Sequence, residues 1–252
     1  MPKQHQADLV LSFTRVRTAL GILGMSLPLV LILGGLLDLP RIESEVGRIE
    51  PTISDFYHTT YRDVFVGTLC AIGVFLISYR GYRREEGEWI DDDWLATTAG
   101  IGAFGVAFFP NEGGGVKVTS MTQHLLGAEF TPVIHYMSAL VFFSSLAAFC
   151  FVKFARTCNM GRRRVYIACG WTIIAALVLT AIAVVFKRFV GGVGREVVLD
   201  YNLIFWFEAM GIWAFGLSWL TKSKADLAFC QKVGIRAADT PRLDGLDDEQ
   251  IG

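Results

Sequence analysis

Six stretches of this chain, at about 18–39, 63–82, 94–109, 132–154, 165–186 and 201–221, are almost free of charged side chains. Each is roughly 16–23 residues long, near the length at which a helix rising about 1.5 Å per residue crosses a hydrocarbon layer of roughly 30 Å. No water in that layer satisfies backbone N–H and C=O groups, so such stretches fold as helices. A membrane barrel would show alternating segments of about ten residues instead. The expected fold is therefore all-α, a polytopic membrane helix bundle with six transmembrane helices over residues 1–222. A tail at 223–252 follows, acidic and mobile at its end. Only 19% of the residues are charged, against about a quarter in soluble domains, which agrees with a bilayer setting.

Lys and Arg set the orientation, because they accumulate on the cytoplasmic side of short loops. With six spans, sixteen of the 23 Lys and Arg residues fall on the side of the two termini and seven on the other. Both termini are thus expected in the cytoplasm. The polar 1–17 segment and the long first apolar block point to a retained span rather than a cleaved signal.

Several function classes lose support at this stage. The net charge of −1 gives no bulk attraction to nucleic acid. Cys70, Cys150, Cys158, Cys169 and Cys230 lack CxxC spacing and read as small buried hydrophobes. Gly113-Gly114-Gly115 follows no strand and has no Lys-Ser/Thr partner, so no phosphate-cradling loop is present.

The orientation sends His58, His124 and His135 to the outer side, leaving His5 on the other. Two of these belong to polar segments, His58 to Ser54-Asp55-Phe56-Tyr57-His58 before Arg62 and Asp63, and His124 to a Gly-flanked loop. His135 lies one turn into the fourth span, on a face shared with Ser138, Phe142 and Ser145. Glu208 is the sharpest single signal, an ionisable group in the apolar run Phe205-Trp206-Phe207-Glu208-Ala209-Met210. Such residues face a partner or a cavity, because a charge in lipid costs a few kcal/mol. Imidazoles and carboxylates from separate segments suit Zn²⁺ or a similar ion, with His58, His124 and His135 as ligands. Asp63 or Glu208 then serves as the catalytic base, while Ser54, Asp55, Tyr57 and Arg62 bind substrate.

The segments Pro51-Thr-Ile-Ser-Asp-Phe-Tyr-His58, Arg62-Asp63-Val-Phe-Val-Gly67, Ile134-His135-Tyr136 and Phe205-Trp-Phe-Glu208-Ala resemble a bacterial six-span membrane protein family of unknown function. That resemblance covers the chain to about Lys222 and implies the fold, an outer-side site and a place in the bacterial inner (plasma) membrane. Ser54 and His58 are also similar to the SxxxH element of the alkaline ceramidase and adiponectin-receptor superfamily, which implies zinc-dependent lipid hydrolysis. The HxxxH pair of that superfamily is absent here.

Three readings follow for the outer-side site. The first is metal-assisted hydrolysis of a lipid-like substrate. The second is a receptor or transporter that takes a proton, a cation or a small ligand. The third is a non-catalytic structural or regulatory protein of the lipid bilayer.

Overall fold

The computed structural model describes residues 2–37, 49–80, 90–112, 120–156, 160–190 and 192–223. The tail expected over 223–252 lies, apart from Ser223, outside the described residues. All regular structure among the described residues is helical: α1 (Pro2–Leu37), α2 (Arg62–Ile77), α3 (Asp92–Phe108), α4 (Met121–Leu126), α5 (Thr131–Ala148), α6 (Met160–Val185), α7 (Gly192–Asp200) and α8 (Leu203–Lys222). Single π-helical stretches, Phe149–Phe154 and Phe186–Val190, prolong α5 and α6.

Local chemistry accounts for several of these boundaries. Ser120 caps α4 by accepting a hydrogen bond from the Gln123 N–H, and Pro132 occupies the first turn of α5, where its missing N–H has no helical partner to lose. Asn202 adopts a left-handed conformation (φ 48°) between α7 and α8. Asn is among the few residues that tolerate this geometry, and it separates an amphipathic α7 from the apolar α8.

Four stretches are long and apolar enough to cross a membrane: Thr14–Leu37, Thr131–Phe154, Met160–Val190 and Leu203–Lys222. The other two expected spans correspond to shorter helices, α2 with 16 residues and α3 with 17. All six pack as a closed ring, α1–α2–α3–α5–α6–α8 and back to α1. Close approach of small residues closes the seams. A Cβ on Gly102 would lie 2.9 Å from the Phe142 backbone nitrogen, and one on Gly216 would lie 2.8 Å from that of Met25. Contacts of this kind substitute for the hydrophobic drive that lipid cannot supply between helices.

One end of the ring is filled solid. Tyr79, Phe149, Phe154, Tyr166 and Trp219 interlock, with centroid separations from 5.1 Å (Tyr79–Trp219) to 6.3 Å (Tyr79–Phe149). Arg17 donates to the Tyr79 hydroxyl at 2.8 Å, and the buried Lys153 ammonium pairs with Asp92 at 3.1 Å. The other end is hollow. Residues 51–60 plug it from above, and beneath them lies a cavity of about 1670 Å³ lined by α1, α2, α3, α5, α6 and α8.

Candidate functional site and its cavity

The plug holds its shape through its own side chains. Thr52 Oγ1 accepts the Asp55 N–H at 2.9 Å and Thr59 Oγ1 donates to the Phe56 carbonyl at 2.9 Å, local bonds that favour a turn over a helix. Ser54–His58 therefore forms a single 3₁₀ turn. Phe56, fully buried, packs against Tyr61 and Phe205 at 6.3 and 6.1 Å. Its apolar side is thereby wedged between α2 and α8, and the polar side of the turn faces the cavity.

Two distant helices latch this turn. Glu208 on α8 accepts the Ile53 N–H at 2.7 Å. His135 on α5 places Nδ1 2.6 Å from the Phe109 carbonyl and Nε2 2.9 Å from Ser54 Oγ. A carbonyl only accepts, so the proton of the neutral imidazole resides on Nδ1 and the Ser54 hydroxyl donates to Nε2. His58 is fixed by the same logic. Asn111 donates through Nδ2 to Asp55 at 2.7 Å, so its Oδ1 and carbonyl both accept from His58 Nε2 at 3.0 and 3.2 Å.

Ser54, Asp55, His58, His135 and Glu208 thus converge on one cavity wall. Four further residues predicted for the site do not join them. Tyr57 is buried against Phe65, with Arg62 stacked on its ring at 4.0 Å, so both brace the plug from behind. Asp63 is exposed in the first turn of α2, where a carboxylate is favoured by the helix dipole. His124 is exposed on α4.

The three-histidine metal centre expected from the sequence does not assemble. Among the described residues, no three of His, Cys, Asp and Glu come close enough together to hold a metal ion. Both His135 nitrogens are already engaged and His58 Nε2 carries a proton for Asn111, so of these four nitrogens only His58 Nδ1 keeps a lone pair not already bonded. The donor set does not fit zinc.

The cavity has two chemistries. Its deep part is apolar, formed by Leu69, Ile72, Phe142, Phe143, Ala176 and Ile212. Its wall also carries three cations, Lys187, Arg188 and Arg195, which the loop-charge pattern of the sequence assigns to a side of the membrane but not to a cavity. Arg188 pairs with Glu112 at 3.0 Å, and Glu112 accepts from the Tyr136 hydroxyl at 2.6 Å. Lys187 and Arg195 have no ion-pair partner among the described residues. α6 touches α5 and also the π-helical stretch that follows it, at Phe151–Gly170 and Phe154–Tyr166. The α5 side of the cavity wall includes the exposed Met137 and Leu140. Compared with family models, curated proteins and solved structures, the chain finds no match.

Proposed function

We propose that this chain is a six-span protein of the bacterial inner membrane, both termini cytoplasmic, that holds a phosphate-bearing amphiphile in an outer-leaflet cavity. The observation that carries this reading is the two-part lining of the cavity of about 1670 Å³. Drug-sized ligands occupy roughly 300–1,000 Å³, so the space suits a molecule with one or more long chains. The apolar depth accepts hydrocarbon. Of the lining carboxylates, Glu208, Asp55 and Glu112 are already hydrogen-bonded within the protein, and Lys187, though it feels the charge of Glu208, can meet an anion together with Arg195. A phosphate headgroup meets that pair, and chains enter from the lipid past the exposed wall residues Met137 and Leu140 of α5, without crossing the plug.

α2 and α3 take part as short spans. At about 1.5 Å per residue they cover roughly 24–26 Å, and their ends are completed by the flanking loops. The solid aromatic end, with its buried Lys153–Asp92 pair, favours a closed binding chamber over a continuous transport path.

The test is the lipid content of protein purified in mild detergent, quantified by mass spectrometry. Wild-type protein retains phospholipid. A Lys187→Glu/Arg195→Glu variant retains about tenfold less or lower still, since a charge-assisted hydrogen bond contributes about 1.5–3 kcal/mol and each 1.4 kcal/mol is tenfold. Equal retention by the two proteins refutes the headgroup assignment.

A further inference from the structure

The polar wall of the cavity contains a nucleophile already paired with a base. The Ser54 hydroxyl donates to His135 Nε2 at 2.9 Å, and the opposite nitrogen of the same ring is held by the Phe109 carbonyl at 2.6 Å. Serine activated by histidine, with the histidine oriented by a third group, is the arrangement of nucleophilic acyl transfer. A backbone carbonyl here occupies the orienting position that a carboxylate holds in the serine proteases. It fixes the tautomer that leaves Nε2 free to accept, and it stabilises the imidazolium that forms when Nε2 takes a proton.

We propose that Ser54 and His135 form a metal-independent dyad that cleaves an acyl ester of the amphiphile in the cavity. This inference rests on the binding reading above. Ser54 Oγ bonds to the ester carbonyl carbon while its proton passes to His135 Nε2. The carbon–oxygen bond to the alcohol then breaks, and the alcohol leaves with the proton from Nε2. Water attacks the acyl-Ser54 ester and gives one proton to Nε2, the carboxylic acid departs, and that proton returns to Ser54. Ester and water become acid and alcohol, with no oxidant or reductant involved.

The surroundings fit the roles. Both residues line the cavity, which puts the dyad beside the space a bound ester would occupy. The backbone of the nucleophile is anchored from two sides, by Ile53 N–H to Glu208 at 2.7 Å and by Asp55 N–H to Thr52 at 2.9 Å. His135 is 2% exposed and Ser54 9%, an environment that shields an acyl intermediate from bulk water. Glu208 is a positioning residue in this scheme, because it acts on the turn and not on the substrate.

A long-chain alkyl fluorophosphonate is the direct probe, since it bonds covalently to an activated serine and its chain suits the apolar depth. Full-length protein in detergent is incubated with the probe and the modified residue is identified by peptide mass spectrometry. The expected result is an adduct on Ser54, absent in Ser54→Ala and formed about 10²–10⁴-fold more slowly in His135→Gln, the range for removing a general base. Thermal unfolding of His135→Gln is followed in parallel, so that a fold defect is distinguished from lost activation. An unmodified Ser54 in wild-type protein that still carries phospholipid overturns the dyad and leaves the binding reading intact. Labelled Ser54 in the wild type, with no phospholipid retained by Ser54→Ala protein, which cannot cleave it, upholds the dyad and overturns the binding reading instead.

Discussion

Replacing Lys153 with methionine, with Asp92 left in place, is expected to destabilise the bundle by up to about 3–5 kcal/mol, the upper range for removing one partner of a buried ion pair. The two side chains are only 4% and 9% exposed and lie 3.1 Å apart. Little water reaches Asp92 to replace the ammonium, and the carboxylate sits at the start of α3, in the packed end of the ring. The Lys153→Met/Asp92→Leu pair should recover most of the loss, because well-packed apolar residues are often neutral replacements for a buried pair. Unfolding by detergent titration, followed by tryptophan fluorescence, measures both. A single variant as stable as wild type would show that the pair is hydrated.

Gly102→Val is expected to have the second large effect on stability. Its Cβ would fall 2.9 Å from the Phe142 nitrogen and 3.0 Å from the Phe142 Cα. Those atoms are backbone, so no rotamer change relieves the contact and α3 must move off α5. Overpacking costs about 1–3 kcal/mol when side chains can adjust, and the upper end of that range or more is expected here. The same seam carries Phe109 and His135, so the displacement also pulls the carbonyl from the imidazole. Gly67→Ala is the matched control, since nothing lies within 4 Å of a Cβ there; it should unfold at the wild-type detergent concentration. The comparison is read in the same detergent titration.

What the sequence made legible was depth along the helices, and what it hid was rotation about them. Apolar block lengths placed the helix ends to within a few residues, except that α1 begins at Pro2 and not near residue 18, and loop charges put Ser54, His135 and Glu208 on one side, where Ile53 and Ser54 do meet Glu208 and His135. Asp63 shares that side but not the direction. Phe65 points inward and is buried, and two residues at about 100° each turn Asp63 to the far side. His124 failed for a different reason: a six-residue helix outside the ring has no register that apolar periodicity could reveal. Asn111 was missed because an amide after a proline reads as ordinary turn chemistry. Its role in joining Asp55 to His58 exists only once α3 and the plug are brought together. Lys187 and Arg195 were in view throughout, but a count of charges by side says nothing of which ones face a cavity.

Under the proposed function, hydrocarbon from the bilayer occupies the chamber under the plug. Photocrosslinking with an acidic phospholipid that bears a diazirine near the end of one acyl chain tests it directly. Peptide mapping of the adducts is predicted to find them on the residues of the deep wall, Phe143 on α5, Ala176 on α6 and Ile212 on α8, and to show their loss when an Ala176→Trp substitution fills the chamber. Adducts confined to the outward-facing Leu33, Ile101 and Val178, unchanged by that substitution, would contradict it.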